Sequence, residues 1–310
     1  MILTSLRLGE DLEEQLPRSA DAFPYLACYV EMDRYPGGIV PWHWHPDVEF
    51  MCVLQGSVRL STNNECHVLS AGEGAFINSN MLHYQEPVPG LPVITLSQIL
   101  DARLIAGAHK SIFEQKYVLP VLECRELEAV RFSPADPDQR EILDRIRRSY
   151  EAADREEPGY EFTVRSELSK VWFLLYQSSE SVRNSGRVIG GQGEERIKRM
   201  LVFLQKHYEE KVSLGMIADA AGISERECLR CFSQKLNTTP FTYLLEYRIR
   251  RAAELLQKTD SPITEIAYAC GFSGSSYFGK TFRKLMGCTP SEYRAMQTEG
   301  AGFRDAGRLQ

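Results

Sequence analysis

The chain has 310 residues, of which 43% are hydrophobic and 25% charged, and it is long enough for two globular domains. This composition excludes an intrinsically disordered or collagen-like chain. The formal net charge of −6, from 36 basic and 42 acidic side chains, argues over the whole chain against a nucleic-acid or anionic-membrane partner.

The compartment follows from what the chain lacks. No stretch approaches the roughly 18 consecutive apolar residues that span a bilayer, and residues 1–10 show no signal-peptide pattern. The eight cysteines are scattered, without the paired spacings of a disulfide scaffold. We therefore expect a cytoplasmic protein whose thiols are reduced and mostly in the core.

Residues 25–100 carry short apolar runs, broken by turn residues about every eight to twelve positions. This pattern is typical of an all-β domain. The candidate strands are Val48 to Leu54, Ser57 to Leu60, Cys66 to Leu69 and Ala75 to Asn78. The sequence predicts a small antiparallel sandwich or barrel.

From Asp138 the apolar residues follow a helical period. The two predicted helices have stripes formed by Ile142, Ile146 and Tyr150, and by Val164, Leu168, Val171, Trp172 and Leu175. The run 181–193 contains four glycines and two serines with few apolar residues, which indicates a flexible linker. We place a domain boundary there.

After the linker the chain is helical and contains an internal repeat. The segment 217–224 recurs 49 residues later at 266–273, and Thr239-Pro240 with Tyr243 recurs 50 residues later as Thr289-Pro290 with Tyr293. A long period repeated twice indicates a duplicated supersecondary unit rather than a solenoid. Each unit has a short helix, a glycine at a sharp turn and a longer helix, which predicts two helix-turn-helix units.

In the first unit, Ser224 and Glu227 have the spacing of a capping box at the start of the longer helix. In the second, Phe278, Phe282 and Leu285 form the predicted core stripe. The remaining faces are polar, as a helix that reads base edges in the major groove requires. The predicted DNA-binding residues are Arg226, Leu229, Arg230, Ser275, Ser276, Gly279, Lys280 and Arg283.

The charge distribution supports this interpretation. Residues 194–297 hold 16 basic and 12 acidic side chains, a net charge of +4, and the other 206 residues hold 20 and 30, a net charge of −10. Phosphate contacts require only local positive charge. The acidic total therefore conceals a basic part.

The carboxy-terminal part contains four motifs, which are Ile217-Ala218-x-x-Ala221-Gly222-x-Ser224, Arg230-x-Phe232, Ile266-Ala267-x-x-x-Gly271-Phe272-x-x-x-Ser276-Tyr277-Phe278-x-Lys280-x-Phe282-Arg283-Lys284 and Gly287-x-Thr289-Pro290-x-x-Tyr293-Arg294. Together they resemble the DNA-binding domain of the AraC family of bacterial transcription regulators. The resemblance implies two units at 214–236 and 262–286 within a domain at 194–297, joined by a helix at about 241–257. These units would enter adjacent major-groove segments of promoter DNA.

A histidine cluster lies at the start of a predicted strand, where period two places His43, His45 and Glu49 on one face. His83 could approach from a neighbouring strand. The spacing Gly37-x5-His43-x-His45-x3-Glu49-x6-Gly56, with Gly72-x10-His83, resembles the two motifs of cupins, which are small β-barrels of the jelly-roll class. In the second motif, Asn78 and Asn80 stand where cupins usually have Pro and Gly.

Three interpretations of this cluster remain open. His43, His45, Glu49 and His83 could hold a divalent metal ion. The same four residues, with Trp42 and Trp44 as apolar walls, could bind a small effector such as a sugar or an organic acid. The cluster could also serve packing alone.

The fold expected is therefore α+β with two domains, a cupin-like β-barrel and an all-α domain. Residues 1–115 form the ligand-sensing barrel, and residues 116–180 a helical segment for connection or dimerisation. The leading hypothesis is a homodimeric, effector-responsive transcription factor that activates a metabolic operon by contacting RNA polymerase and has no catalytic activity. The alternative is a metal-dependent cupin enzyme, an oxygenase or an isomerase.

Overall fold

The computed structural model describes residues 2–3, 6–9, 11–17, 23–184 and 192–302. The chain divides into two compact units, residues 1–194 and 195–310, and each is described by itself. Most of the predicted linker, residues 185–191, lies outside the described residues. Within the described ranges, no helix combines the length and the apolar character that crossing a membrane requires.

The first unit is built on two β-sheets. Its strands are β1 Ile2–Leu3, β2 Tyr25–Glu31, β3 Val40–His43, β4 Val48–Gln55, β5 Ser57–Ser61, β6 Cys66–Ser70, β7 Gly74–Ile77, β8 His83–Pro87, β9 Ile94–Leu100 and β10 Ala129–Phe132. One sheet has the order β1-β2-β9-β4-β7-β10 and the other β3-β8-β5-β6. All pairs are antiparallel except β1 with β2. This confirms the predicted cupin-like β-barrel domain.

The helices of the first unit follow β9. They are α1 Arg103–Ala106, a π-turn Glu114–Val118, α2 Leu119–Leu122, α3 Pro137–Arg155, α4 Tyr160–Ser178 and α5 Glu180–Arg183. The stripes predicted for α3 and α4 are buried, and Trp172 packs edge-on against Phe76 of β7. The buried amide of Gln98 on β9 donates to the carbonyl of Ile146, which fixes α3 to the larger sheet.

The prediction of a helical segment over 116–180 misses one strand. Residues 129–132 form β10, which pairs with β7 from Ala129 opposite Ile77 to Phe132 opposite Gly74. Four residues are too few to show a period, and the neighbouring strand supplies the hydrogen bonds that decide their conformation.

The second unit is helical throughout its described part. Its helices are α6 Gln192–Lys206, α7 Leu214–Ala220, α8 Glu225–Leu236, α9 Pro240–Lys258, α10 Ile263–Ala269, α11 Ser275–Met286 and α12 Pro290–Gly302. Thus α7 with α8, and α10 with α11, form the two helix-turn-helix units, and α9 joins them. Five of the eight free thiols are buried, including Cys228 and Cys231 on the inner face of α8.

Two sequence-based details of these units are wrong. The hydroxyl of Ser224 accepts from the backbone N–H of Glu227, but the Glu227 carboxylate turns to Arg230 and does not complete a capping box. A reciprocal box forms instead between Thr289 and Glu292 at the start of α12. In α11 the predicted core residue Leu285 is 41% exposed, because the buried face ends with Phe282.

Candidate nucleic-acid interface and metal centre

The outer faces of α8 and α11 form a polar, solvent-facing surface in the second unit. On α8, Arg226 and Arg230 are exposed, and Leu229 is 44% exposed beside them. On α11 the predicted base readers Ser275, Ser276, Lys280 and Arg283 are all exposed. The structure therefore places the side chains predicted for base contact on the outer faces of both helices. The first turns of both helices are exposed there and accessible to the major groove of DNA.

The inner faces hold both helices rigidly. Phe232 and Phe282, the matching residues of the two units, are fully buried, and Phe282 contacts Tyr293 of α12 edge-on. Gly279, predicted to allow close approach, lies on α11 where a β-carbon would meet no atom within 4 Å. A fixed inner face and an uncrowded outer face are what a major-groove reader needs.

Arg230 differs from the other predicted base readers. Its Nη2 lies 2.6 Å from Glu227 Oε1, and its Nε donates to Glu227 Oε2 at 2.8 Å. These bonds hold the pKa of the Glu227 carboxyl below its ordinary value. The guanidinium is therefore already paired within its own helix, and the spacing of the sequence alone does not reveal this.

A cluster of three histidines and a glutamate lies inside the barrel of the first unit. His43 on β3 is directly opposite His83 on β8, with ring centroids 4.0 Å apart. Glu49 lies at the start of β4, and His45 lies in the loop before it. The three imidazoles each offer a nitrogen within 4.8 Å of the others, and all four side chains are buried. The structure thus brings together the four residues that the sequence proposed as ligands.

The turn before β8 aims His83 in spite of its departure from the cupin pattern. Asn80 adopts a φ of +62°, a left-handed conformation that asparagine tolerates better than other non-glycine residues. Its backbone N–H donates to the carbonyl of His45 at 2.8 Å. The Asn78 side chain donates to the carbonyls of Val121 and Leu127. Asn78 and Asn80 therefore stabilise this turn at the positions where cupins usually have Pro and Gly.

Backbone carbonyls fix the orientation of all three rings. The Nδ1 atoms of His43, His45 and His83 lie 2.7, 3.0 and 2.9 Å from the carbonyl oxygens of Pro41, Asp47 and Met81. Nδ1 must donate to these acceptors, so Nε2 is left to carry the lone pair when a ring is neutral. Metal-binding histidines are oriented in this way by their second nitrogen.

The acidic groups complete the site. Glu49 Oε2 lies 3.4 Å from Nε2 of both His45 and His83, and its Oε1 accepts from the Ser97 hydroxyl at 2.5 Å. Burial raises the pKa of Glu49, but the neighbouring histidines outweigh this effect and hold it well below its ordinary value. Burial and the nearby His83 lower the pKa of His43 well below its ordinary value. The site contains an ionised carboxylate and at least one neutral imidazole.

Two further residues of the site escaped the sequence reasoning. Glu14 Oε2 lies 3.7 Å from His43 Nε2, because the backbone N–H of Glu14 donates to the carbonyl of Trp44 and holds the amino-terminal segment against the barrel. Burial raises the pKa of Glu14 to about 7. Ser97 was also missed. Neither residue has a spacing signal, since each arrives from a distant segment.

Trp42, predicted as a wall of an effector pocket, lies elsewhere. Its ring stacks on Tyr84 of β8 with centroids 5.4 Å apart, and it does not line the cavity beside His43 and Glu49. Neighbouring residues of a strand point to opposite faces, so Trp42 and His43 cannot share one pocket. That cavity measures only about 30 Å³.

Comparisons with known proteins agree with both halves of the structure. A family model described as an AraC-like ligand binding domain matches residues 25–171, and one described as a helix-turn-helix domain matches residues 217–296. The HTH-type transcriptional regulator YdeC of Bacillus subtilis is 29% identical over 300 residues, covering 94% of this chain and 98% of its own. The HTH-type transcriptional activator RhaS of Escherichia fergusonii is 28% identical over 283 residues, covering 89% and 95%.

A crystal structure of an AraC-type transcriptional regulator from Chromobacterium violaceum is 36% identical to this chain, covering 35% of it and 96% of its own length, with a TM-score of 0.33.

A ligand-binding barrel followed by two helix-turn-helix units defines a DNA-binding transcription regulator that responds to an effector. The chain belongs to the AraC family of such regulators. This assignment confirms the resemblance drawn from the repeat and gives no support to the alternative of a cupin enzyme.

Proposed function

We propose that the protein activates transcription by binding promoter DNA as a homodimer, with α8 and α11 of each copy in successive major-groove segments. The observation that carries this proposal is the duplicated unit, in which the outer face of each longer helix exposes predicted base readers, among them Arg226 on α8 and Lys280 on α11. We further propose that the protein contacts RNA polymerase, has no catalytic role and acts in the cytoplasm.

The test is footprinting of the full chain on DNA upstream of its own operon. We expect each copy to protect a segment of roughly two helical turns. Arg226→Ala or Lys280→Ala is expected to weaken specific binding by about 1 to 3 kcal/mol and relax base preference at one position. Equal losses on all sequences would make these residues phosphate contacts. The absence of any protected segment would refute the proposal.

Dimerisation is proposed to involve α4. Phe162 near its start is 82% exposed, and burying its ring against a second copy would remove apolar surface from water. Sedimentation of Phe162→Asp, with Thr163→Asp on the neighbouring exposed position as control, tests this. We expect dissociation only in the first variant, and a monomeric wild-type protein would contradict the proposal.

Transcription in vitro with purified polymerase tests whether the protein activates. Repression, or no effect on transcription, would contradict the proposed activation.

We also propose that the barrel cluster holds a divalent metal ion through His43, His45, His83 and Glu49. The imidazole nitrogens and carboxylate form a borderline donor set that suits zinc, iron, manganese or nickel. A cavity of about 30 Å³ suits an ion or a water molecule, whereas small-molecule pockets usually measure 300–1,000 Å³. His83 Nε2 is buried and makes no close hydrogen bond with the described residues, and it points at the Glu49 carboxylate 3.4 Å away, as two ligands of one ion would.

Metal analysis of the purified protein tests this site. We expect about one ion per chain, and loss of the ion in His83→Ala. His67→Ala is the matched control, because His67 lies on β6 of the same sheet but contacts Glu65 instead of the cluster. The metal-loaded protein is expected to unfold at a higher temperature. Protein that neither retains nor binds added zinc, iron, manganese or nickel would contradict the metal site and leave the proposal of DNA binding standing.

A further inference from the structure

A second cavity of the first unit, about 430 Å³ in volume, lies among α1, the π-turn and α4. Ile105, Val118 and Trp172 form its buried floor, and Phe113 and Phe173, 58% and 44% exposed, stand at its mouth. Its volume falls within the range of small-molecule sites, whereas the cavity beside the histidines is more than tenfold smaller. It is therefore large enough for a small organic molecule.

The wall on the π-turn side has an irregular backbone. The N–H of Leu119 donates to the carbonyl of Glu114, five residues back, and Pro120 that follows has no N–H to offer. Such π-turns occur frequently at functional sites. Within this turn, the carbonyl of Tyr117 accepts from Trp172 Nε1 at 3.0 Å. The indole N–H is therefore already used, and the floor of the cavity is apolar.

The rim of the cavity is positively charged. Arg165 and Lys170 of α4 line it, both are exposed, and neither forms an ion pair within the described part of the chain. By contrast, Arg145 on α3 is bonded to both Glu141 and Glu167. The Arg165 guanidinium lies at the end of α1, since its Nη2 is 3.6 Å from where a β-carbon on Gly107 would stand. Two cations without an ion pair among the described residues therefore lie at the rim of this cavity.

We infer that this cavity binds a small amphipathic carboxylate, with its apolar body on the floor and its carboxylate at Arg165 and Lys170. A guanidinium binds a carboxylate through two parallel hydrogen bonds, which a neutral group cannot match. A sugar is a poor fit, because its hydroxyls would meet an apolar floor without partners. The inference rests on the proposed function in one respect: it names the chemical class of the effector.

The test uses the full chain and a panel of carboxylates of six to ten carbons, including benzoate, phenylacetate, 4-phenylbutyrate and octanoate, each paired with its neutral amide. Calorimetry is expected to give saturable binding of at least one acid, at least tenfold tighter than its amide. Arg165→Gln and Lys170→Gln are each expected to weaken that binding at least fivefold. Arg147→Gln, an exposed arginine on α3 that does not line the cavity, is the control and is expected to leave it unchanged.

Ser169→Trp places a large side chain in the cavity and is expected to abolish binding while thermal unfolding remains cooperative. No binding by any acid of the panel up to 10 mM, or equal affinity for acids and amides, would overturn the inference. Loss of dimerisation in Ser169→Trp with no acid bound would also overturn it, since the cavity would then be an interface between copies. Footprinting separates the two proposals, because DNA protection by Arg165→Gln is expected whether or not acids bind.

Discussion

Arg230 and Glu227 form a two-bonded ion pair on the outer face of α8, with 2.6 Å between Arg230 Nη2 and Glu227 Oε1. Arg196 of α6 also approaches the same carboxylate, at 3.9 Å. The pair occupies donors of Arg230 that a guanine or a phosphate could otherwise use, and the carboxylate itself repels phosphate. We therefore expect the pair to weaken DNA binding by the first helix-turn-helix unit, α7 with α8.

Glu227→Gln is expected to raise DNA affinity several-fold at low salt, because it frees Arg230 and removes a negative charge facing the DNA. Electrophoretic mobility shifts at two salt concentrations measure the change. Glu225→Gln removes an equal charge from the same turn, where Arg230 makes no contact with it. If both variants gain equally, the gain comes from net charge alone and the release of Arg230 plays no part.

Gly279→Ala is expected to separate stability from DNA binding. A β-carbon at this position meets no atom within 4 Å, and alanine favours a helix interior over glycine by about 0.8 to 1 kcal/mol. Urea unfolding is therefore expected to show a slightly more stable protein. If α11 approaches the DNA closely at Gly279, binding falls in the same variant. Unchanged binding would show that the glycine has no role at the interface.

The repeated glycines of the two helix-turn-helix turns are not equivalent. Gly222 and Gly271 both have positive φ, +64° and +76°. A β-carbon on Gly222 meets nothing within 4 Å, whereas one on Gly271 overlaps the carbonyl of Tyr208 and lies 2.8 Å from Nη2 of Arg248. That arginine cannot move away easily, since its Nε and Nη2 donate to the carbonyls of Tyr208 and Glu210 at 2.7 Å.

Gly222→Ala is therefore expected to cost about 1 kcal/mol of unfolding free energy from backbone strain alone. Gly271→Ala adds overlap with a fixed backbone atom and is expected to cost several kcal/mol. Denaturant unfolding of the two variants measures the difference directly. Equal losses of unfolding free energy in the two variants would mean that the overlap with the Tyr208 carbonyl is relieved by a small shift of the backbone.

More of the second unit than of the first could be predicted from the sequence, for a physical reason. Helix periods, the turn glycines and the Thr-Pro starts are local signals, so α8 and α11 could be predicted from neighbouring residues. The barrel depends on pairing between distant strands, so β10 was missed and only four short apolar runs bounded by turn residues were predicted as strands. The cluster of His43, His45, Glu49 and His83 could be predicted because three of its members lie within seven residues.

What the sequence could not supply was the contact between remote segments. Glu14 reaches His43 only because the amino-terminal segment bonds to the backbone of Trp44. The pairing of Arg230 with Glu227 was available from spacing in principle, since both lie on one helix face, but so was a capping box. Only the conformation of the carboxylate decides between them.

Glu14 provides a pH-dependent prediction for the metal-free protein. Burial raises its pKa from about 4.5 to about 7 in the folded state, so between these values the folded protein holds a proton that the unfolded chain has lost. Folding stability must then fall as pH rises through this window, by an amount on the order of 3 kcal/mol for a shift of this size. Above pH 7 the buried carboxylate is charged in both states and the loss is complete.

Glu14→Gln keeps the shape of the side chain without its charge and is expected to remove this loss. After treatment with a chelator, the variant should be more stable than the wild-type protein at pH 8, and the two should be nearly equal at pH 4.5. Urea unfolding at several pH values between these limits measures the slope. Glu13→Gln, on the neighbouring half-buried residue, is expected to leave the wild-type slope in place. A wild-type slope that persists in Glu14→Gln would assign the lost proton to another group of the site.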